Sequence, residues 1–504
     1  MRVRTDHQRP GHRAWIPILL ATLVVAGTPL SVAWLTGSRP IAAQAGGAAA
    51  RPNIVIIMSD DQRWDTIEPQ VMPRLMDRMV PGVNAVYLSN AFVSNPICCP
   101  SRVSTLTGQY SDTSGVYSND GSFTGDDGVG GGGFYSFDDD PAANPTIATD
   151  LQRVGYRTAM IGKYLNKYPT ESNSRYVPPG WDRWFAVRTG VYYNYLAASD
   201  GHQRWFGNDP GDYSTQVLTS RAADFIHETS ATGTPFFLYL ALTAPHGPPI
   251  PYPQDVGRFD AYVDGYHQPA SVGESNISDK PDYIKSLAWT RELQDGYDAF
   301  HARQLSAIYG VDRAVGRIWD TLPDDTVVLY MSDNGYDWGE HRWEQKIVPY
   351  NESIRVPMVL ATKGLDLPSI DPDRIALNVD IRATLGSFAG LSPTTKGHAW
   401  TDPSWSRRDF VLEHWDYVAA GVPTYCGIRS LRWMYVKYAT GEEELYDERA
   451  DLLELTNLVS RRPPTLSALR ARAQVLCRQG NVYPPDWPFS RSGTPVTVRA
   501  HAWR

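Results

Sequence analysis

The chain has 504 residues, of which 42% are hydrophobic and 20% are charged. A chain of this length and composition can bury a large core, which excludes general disorder. The formal net charge of −8 gives no indication of nucleic-acid binding, so an anionic ligand would have to be held by local basic side chains.

The first 50 residues differ from the rest of the chain. A basic start with four arginines precedes an apolar stretch of about 21 residues from Trp15 to Leu35, and Ala43-Gln44-Ala45 has the form of a cleavage site. This pattern predicts a secretory signal peptide. A membrane anchor over residues 15–35 is the alternative, because roughly 20 apolar residues span a bilayer. In both cases we expect a secreted or extracytoplasmic protein.

Two predicted domains follow this segment. Residues 51–392 alternate apolar runs with helical patterns, which predicts an α/β domain with a large mixed sheet covered by helices on both faces. Residues 393–504 predict a smaller C-terminal α+β subdomain with short antiparallel strands. The predicted helices are 72–80, 147–154, 291–322 with a break, 380–389 and 465–477, and the glycine-rich residues 121–140 predict a mobile loop.

Two predicted apolar strands of the large domain are followed by acidic or amide side chains. The strand at 53–58 is followed by Asp60 and Asp61, and the strand at 326–331 is followed by Asp333 and Asn334. Ligands of open α/β sheets bind at the carboxyl ends of strands, and hard oxygen ligands suit Ca²⁺ or Mg²⁺. We therefore predict a divalent-cation site, although either pair alone is equally typical of a turn.

Residues 98–108 read Cys-Cys-Pro-Ser-Arg-Val-Ser-Thr-Leu-Thr-Gly. This run resembles the type I sulfatase signature Cys-x-Pro-Ser-Arg-x-x-x-x-Thr-Gly, whose first cysteine is converted to Cα-formylglycine. The resemblance implies that Cys98 is modified by a formylglycine-generating enzyme, supplies the nucleophile as an aldehyde hydrate and also binds the metal. It implies that Arg102 orients the hydrate and stabilises charge. Ser101 predicts the N-cap of a helix that begins at Arg102.

The next segment, after a strand at 157–161, reads Gly-Lys-Tyr-Leu-Asn at residues 162–166. It is similar to the N-acetylglucosamine-6-sulfatases and the extracellular heparan 6-O-sulfatases, which implies that Lys163 binds the sulfate. Many other sulfatases carry a histidine two places after this lysine. That place is Leu165 here, so Asn166 is the candidate substitute as a substrate contact.

Two more segments follow in the order of the family. The strand at 236–242 runs into Ala244-Pro245-His246, and a histidine at this place can donate a proton to a leaving alkoxide. The pattern Tyr-x-x-x-Ile-Arg-Val-Pro at residues 350–357 identifies Lys346 as the lysine that faces the sulfate in the family. His341 is a further candidate for a substrate contact.

The resemblance extends over about residues 52–458 and implies an alkaline-phosphatase-like fold. It implies hydrolysis of sulfate monoesters of carbohydrates or phenols, with a divalent cation that is usually Ca²⁺ in the family. One hydroxyl of the hydrate attacks sulfur and expels the alcohol, and the second then collapses to the aldehyde and releases sulfate. A formylglycine-dependent phosphonate or phosphodiester hydrolase is the alternative, because the two kinds of ester present similar tetrahedral anions.

A non-catalytic glycan-binding protein of the same fold would need a lost nucleophile or ligand, and none is lost in the motifs. Of the four cysteines, Cys426 and Cys477 are left to form a disulfide or to remain buried thiols.

Overall fold

The structure, a computed structural model, describes residues 51–80, 84–125, 128–138, 144–393, 395–416, 421–480 and 482–489. The predicted signal peptide or anchor lies outside the described residues. Among the residues that are described, no helix combines the length and the apolar character needed to cross a bilayer.

The described residues form twenty strands, several of them very short. They are β1 (Asn53–Ser59), β2 (Ala85–Tyr87), β3 (Asn90–Phe92), β4 (Val116–Ser118), β5 (Ser122–Gly125), β6 (Gly128–Gly132), β7 (Arg157–Lys163), β8 (Arg183–Val187), β9 (Tyr195–Ser199), β10 (His202–Phe206), β11 (Phe236–Ala241), β12 (Thr326–Ser332), β13 (Asp337–Trp338), β14 (Glu344–Gln345), β15 (Met358–Lys363), β16 (Ile375–Leu377), β17 (Asp409–His414), β18 (Tyr425–Ser430), β19 (Trp433–Tyr438) and β20 (Glu443–Asp447).

The same residues form twelve α-helices and five short 3-10 turns. They are α1 (Pro73–Met79), α2 (Cys98–Thr107), α3 (Ser111–Ser114), α4 (Gly133–Asp138), α5 (Ile147–Arg153), α6 (Ser214–Ser230), α7 (Asp260–Asp264), α8 (Asp282–Lys285), α9 (Arg291–Thr321), α10 (Asn351–Ile354), α11 (Ile381–Phe388) and α12 (Thr465–Leu476).

A nine-stranded mixed sheet is the framework, with the order β10-β9-β8-β7-β11-β1-β12-β15-β2. The five central strands are parallel to one another, and they are β8, β7, β11, β1 and β12. The strands outside them pair antiparallel. Because neighbouring parallel strands end at one edge, β7, β11, β1 and β12 deliver the residues that follow them to the same place. This edge carries the four predicted strand-end motifs.

Both faces of the sheet are covered by helices. Alternation along β1 places Ile54, Ile56 and Met58 in one core with α2, α5 and α11, and places Val55 and Ile57 in a second core with α1, α6 and α9. The buried apolar runs of the central strands follow from this two-sided burial. The predicted α/β architecture with a large mixed sheet between helices is confirmed.

Three local predictions need correction. Helix α2 begins at Cys98 with Ile97 as its N-cap, so Ser101 lies inside the helix, where its hydroxyl accepts a hydrogen bond from Asn378 Nδ2 at 3.1 Å. Pro100 permits the earlier start because its ring is compatible with the first turn of a helix.

Helix α9 runs unbroken for 31 residues, whereas a break was predicted. The glycine-rich segment predicted as a loop contains β5, β6 and α4.

The C-terminal part contains the antiparallel sheet β17-β18-β19-β20, as predicted, with α12 packed on it. Cys426 on β18 and Cys477, directly after α12, form a disulfide across 51 residues of sequence. The alternative left open by the sequence is therefore resolved in favour of pairing, and the bond joins the last helix to the sheet.

We predict that replacing both cysteines in Cys426→Ser/Cys477→Ser lowers the free energy of unfolding by about 2–4 kcal/mol, because the cross-link restricts the unfolded chain. Guanidinium unfolding of the exported protein measures the change, and the wild-type protein in reductant serves as the comparison. Equal midpoints for the variant and the oxidised wild type would contradict the expected stabilisation.

Candidate active site

Nine side chains converge at the carboxyl edge of the central strands. All were singled out from the sequence, and they are Asp60, Asp61, Cys98, Arg102, Lys163, His246, Asp333, Asn334 and Lys346. Six come from the ends of β1, β11, β7 and β12, one pair comes from α2, and Lys346 follows β14.

Asp60 is a fully buried carboxylate with two basic partners. Lys163 Nζ donates to Asp60 Oδ2 at 2.6 Å, and Arg102 Nη2 lies 3.7 Å from Asp60 Oδ1. Burial alone would raise the pKa of Asp60, but the positive charges of Lys163, His246 and Arg102 hold that pKa below its ordinary value. Asp60 is therefore ionised at neutral pH.

Lys163 is brought to this carboxylate by the glycine before it. A Cβ atom on Gly162 would lie 1.8 Å from the carbonyl oxygen of Ala241 on β11, and the φ of +122° at this position is one that L side chains rarely adopt. Glycine thus allows β7 to lie close to β11 at the edge where Lys163 points to Asp60.

Arg102 links the helix to two strands. Its Nε donates to Asp333 Oδ2 at 2.7 Å and its Nη1 donates to the backbone carbonyl of Lys163 at 2.8 Å. Asp333 Oδ1 in turn accepts the backbone N–H of Asp61 at 3.1 Å. Both carboxylate oxygens of Asp333 are therefore already engaged by groups of this chain, which sequence reasoning did not anticipate.

Lys346 contacts three other members of the group. Its Nζ contacts the Asp61 carboxylate and lies 3.0 Å from Cys98 Sγ and 3.5 Å from Asn334 Oδ1. Burial opposes a charged Lys346, but the carboxylate of Asp61 and the other anionic groups raise its pKa well above the ordinary value. A positive charge therefore stands among three of the side chains predicted to bind the cation.

Cys98 and Cys99 lie in different surroundings. Burial raises the pKa of both thiols, but Lys163 and Lys346 more than offset this at Cys98, whose pKa falls below its ordinary value. Cys99 faces the core, accepts the backbone N–H of Asn166 at 3.0 Å and has a pKa raised to about 12. Only Cys98 belongs to the charged group, in the first turn of α2.

His246 lies at the outer side of the site. Its Nε2 is 3.8 Å from Asp61 Oδ2, and its Nδ1 lies 2.7 Å from the carbonyl oxygen of Gly247, a distance at which an N–H on Nδ1 donates to that oxygen. Burial lowers its pKa, but Asp61 and Asp60 raise it, and the net shift is upward from the ordinary value. The ring is thus fixed through one nitrogen and presents the other to the site.

Exposure rises in one direction across the group. Asp60, Arg102, Lys163 and Asp333 are fully buried, Asp61 and Lys346 are 3% and 8% exposed, and His246 is 22% exposed. The group is therefore reached from the side of Lys346 and His246.

A segment that sequence reasoning missed borders this entrance. Thr189 Oγ1 donates to Asn166 Oδ1 at 3.1 Å, and Tyr192 Oη donates to the backbone carbonyl of His246 at 2.9 Å. A Cβ atom on Gly190 would lie 3.0 Å from His246 Nδ1. No motif in the sequence marks residues 189–192, because their contact with the site depends on the folding of a connection between strands.

The remaining two candidates differ in position. Asn166 lies beside Thr189 and is partly exposed, so its predicted substrate contact stays a prediction. His341 is not brought into the group: it is fully buried, and its Nδ1 lies 2.6 Å from Glu274 Oε2. Its role as a substrate contact also stays a prediction. Within the described residues, no hydrogen bond or ion pair joins the His341 ring to the nine residues of the group.

The ligand atoms of the site fit a hard divalent cation. Asp60, Asp61, Cys98 and His246 offer ligand atoms that lie within 4.8 Å of one another, and Asn334 Nδ2 donates to Asp61 Oδ1 at 2.7 Å, which keeps its amide at the same place. The Lys346 ammonium, which is itself a cation, already contacts the Asp61 carboxylate. The carboxylates suit Ca²⁺ or Mg²⁺, whereas the thiolate of an unmodified Cys98 does not.

Comparison with known proteins identifies the family of this chain. The family model described as sulfatase matches residues 52–391, and a model described as the C-terminal part of N-sulphoglucosamine sulphohydrolase matches residues 339–472. The chain belongs to the sulfatase family.

Three curated relatives show how far the similarity extends. An extracellular sulfatase SULF-1 homolog of Drosophila melanogaster is 30% identical over 72% of this chain and 32% of its own length. An arylsulfatase of Volvox carteri is 29% identical over 91% of this chain and 77% of its own length. Human N-acetylglucosamine-6-sulfatase is 29% identical over 68% of this chain and 61% of its own length. This sulfatase-family chain thus spans about a third of the fly relative.

A solved structure described as a complex with its substrate D-glucosamine-2-N,6-O-disulfate has a TM-score of 0.68 at 22% identity, and the match covers 84% of this chain and 97% of that one. At this identity the likeness shows the fold, and it agrees with the predicted alkaline-phosphatase-like architecture.

We predict that Arg102→Met destabilises the folded chain by about 3–5 kcal/mol, because it leaves Asp333 as a buried charge without its partner. Denaturant unfolding measures the loss. The matched control is Arg472→Met, whose partner Asp409 lies at the surface (2.8 Å), and it should cost less than about 1 kcal/mol. Equal losses would mean that the buried pair has no special weight.

Proposed function

We propose that this chain hydrolyses sulfate monoesters, with Cys98 as the site of the nucleophile after its conversion to formylglycine. The observation that carries the proposal is the position of Cys98, which lies in the first turn of α2 with Lys346 Nζ at 3.0 Å and Asp60 Oδ1 at 3.8 Å. Membership of the sulfatase family supports it independently.

The charges of the site suit a sulfate ester. Three buried carboxylates, Asp60, Asp61 and Asp333, are matched by three permanently charged basic groups, Arg102, Lys163 and Lys346. A divalent cation would add the positive charge that an anionic ester and an ionised nucleophile require. Charge that is fixed in place before the reaction is usually the largest contribution to catalysis.

Asp60, Asp61, Asp333, Asn334 and residue 98 would hold the cation, and Arg102 would keep Asp333 in place. When bound, a divalent ion polarises the sulfate oxygens and favours the ionised form of a coordinated oxygen nucleophile. Lys163 and Lys346 would bind the non-bridging oxygens of the ester. Arg102 would orient the formylglycine hydrate, whose two hydroxyls allow attack on sulfur and later release of sulfate.

His246 would protonate the leaving oxygen. It is the most exposed member of the group, so the alcohol part of the ester would extend past it toward solvent, between Lys346 and residues 189–192. Its Nδ1 contact with Gly247 leaves Nε2 to carry the proton.

A 6-O-sulfated glucosamine is the substrate class that we propose first. The support is the names of the relatives, among them N-acetylglucosamine-6-sulfatase, and the neighbour solved with a glucosamine disulfate. An exported location is proposed with it, since the first 50 residues have the pattern of a signal peptide and relatives are named extracellular sulfatases. Formylglycine would be introduced by a formylglycine-generating enzyme during export.

A phosphonate monoester hydrolase is the second candidate. The phosphonate monoester hydrolase of Agrobacterium radiobacter shares the fold with a TM-score of 0.56 at 19% identity. Phosphonate and sulfate monoesters carry the same charge and shape, so the same group of residues could accept either.

We predict that the peptide around residue 98 of protein exported from a converting host is about 18 Da lighter than its sequence, because an aldehyde replaces the thiol. Cys98→Ser should fold but release sulfate more slowly by a factor of about 10³ or more, since it loses the hydrate. Mass spectrometry and sulfate release from glucosamine 6-sulfate, an aryl sulfate and a phosphonate monoester measure these outcomes.

Cys99→Ser is the matched control, because Cys99 faces the core and only accepts a hydrogen bond from Asn166. It should keep both the mass change and the activity. An unmodified thiol at residue 98, or an equal loss in both variants, would overturn the assignment of the nucleophile. Faster turnover of the phosphonate than of any sulfate would favour the second candidate.

We predict that His246→Gln slows hydrolysis of a sugar sulfate by about 10²–10⁴-fold but slows hydrolysis of a 4-nitrophenyl sulfate by less than about 10-fold. An acidic phenol leaves without a proton, whereas a sugar alkoxide needs one. The ratio of the two rate constants in variant and wild type measures the effect. A uniform loss on both esters would place His246 in binding and not in proton transfer.

A further inference from the structure

A second group of ionisable side chains lies outside the nine residues of the candidate active site. His341, Glu352 and Glu454 offer ligand atoms that lie within 4.8 Å of one another. His341 and Glu454 are fully buried and Glu352 is 6% exposed. His341 follows β13, Glu352 is on α10 and Glu454 follows β20, so the group joins the large sheet domain to the C-terminal sheet.

Two of these side chains have a buried nitrogen or oxygen atom without a hydrogen-bond partner among the described residues. His341 Nε2 and Glu454 Oε1 are buried, and neither has a hydrogen-bond partner in the part of the chain that is described. The other oxygen of Glu454 accepts the backbone N–H of Asn351 at 2.9 Å, which fixes the carboxylate. Unpartnered buried acceptors are rare because they lose their hydration, so they call for a ligand.

The second nitrogen of His341 is oriented as in metal-bound histidines. Nδ1 lies 2.6 Å from Glu274 Oε2, and the ring packs against Tyr350 with centroids 4.1 Å apart. A carboxylate that accepts the N–H of one ring nitrogen fixes the tautomer and leaves the other nitrogen as a lone-pair donor. Here that donor is Nε2.

The basic residues nearby are already committed to other acidic groups. Arg429 pairs with Glu448 at 2.9 Å, Arg63 pairs with Glu340, and Lys280 Nζ lies 3.6 Å from Glu274. Within the described residues, neither Glu352 nor Glu454 forms an ion pair. Two buried carboxylates that form no ion pair are costly unless they are protonated or bind a metal.

We propose that His341 Nε2, Glu352 and Glu454 bind a transition-metal dication, Zn²⁺ in the first place. Imidazole and carboxylate groups are both ligands that Zn²⁺ accepts, and the imidazole favours Zn²⁺ over Ca²⁺, whereas the oxygen-rich active site suits Ca²⁺. Ligands of one ion at about 2.0–2.2 Å lie at most about 4.4 Å apart, so the observed spacing requires only small shifts.

The position of this site gives it a structural role. His341 and Glu352 flank Lys346 in the sequence, and Glu454 lies beyond the last strand of the C-terminal sheet. A metal held by all three fixes both ends of the segment that carries Lys346 against the C-terminal part. The ion is thus a support for the candidate active site and takes no part in the reaction.

The test is metal content and thermal stability of the exported full-length chain after chelation and reloading with ZnCl₂ or CaCl₂. We expect one Zn²⁺ per chain after washing. The Tm is compared in an Asp61→Asn background, which weakens the proposed Ca²⁺ site, and it should rise with Zn²⁺ but not with Ca²⁺ at the same concentration. His341→Gln and Glu454→Gln should each lose the bound Zn²⁺ and the rise in Tm.

His227→Gln is the matched control, because His227 is exposed on α6 and reports zinc held adventitiously at the surface. It should retain the full stoichiometry, as should Asp61→Asn. Substoichiometric zinc in the wild type, or zinc retained by Glu454→Gln, would overturn the site. A Glu454→Gln variant as stable as the zinc-free wild type, with no response of either to zinc, would mean that the carboxyl groups are simply protonated.

Discussion

The compensation of buried charge at one edge of the sheet is the constraint on which the site depends. Asp60 and Asp333 are fully buried, and each is held by a basic side chain from another element, Lys163 at 2.6 Å and Arg102 at 2.7 Å. Removing any one of these partners leaves a charge that the protein interior does not solvate. The acidic and basic groups therefore require one another, and together they fix where residue 98 can lie.

The parallel order of the central strands explains why the group assembles at all. The residues after β7, β11, β1 and β12 meet because these strands are neighbours that run in one direction. The helix that carries Cys98 and Arg102 packs on one face of the sheet. The segment after β14 adds Lys346, which contacts Asp61 and Cys98. Function is thus concentrated where the main chain of several strands ends, and the helices and the C-terminal sheet supply its support.

Much of this arrangement could be predicted from the sequence, because short motifs mark it. The apolar run of β1 ends at Asp60, the cysteine signature begins at Cys98, and both patterns are local. The contacts of Asp333 with Arg102 and the approach of residues 189–192 to His246 could not be predicted, since they join segments far apart in the chain. Ser101 was wrongly expected to cap a helix, because Pro100 is compatible with the first turn and the helix already begins at Cys98. His341 shows the same limit: its neighbours in sequence suggest the active site, whereas Glu274 and Glu454, distant in sequence, surround it.

The most direct test of the central claim is a crystal structure of the exported protein grown with Ca²⁺ and inorganic sulfate. The account predicts a tetrahedral anion within hydrogen-bond distance of Lys163, Lys346 and His246. It also predicts an ion bound by Asp60, Asp61, Asp333 and Asn334, and oxygen in place of sulfur at residue 98. An anion bound elsewhere, with Lys346 still against Asp61 and sulfur at residue 98, would contradict it.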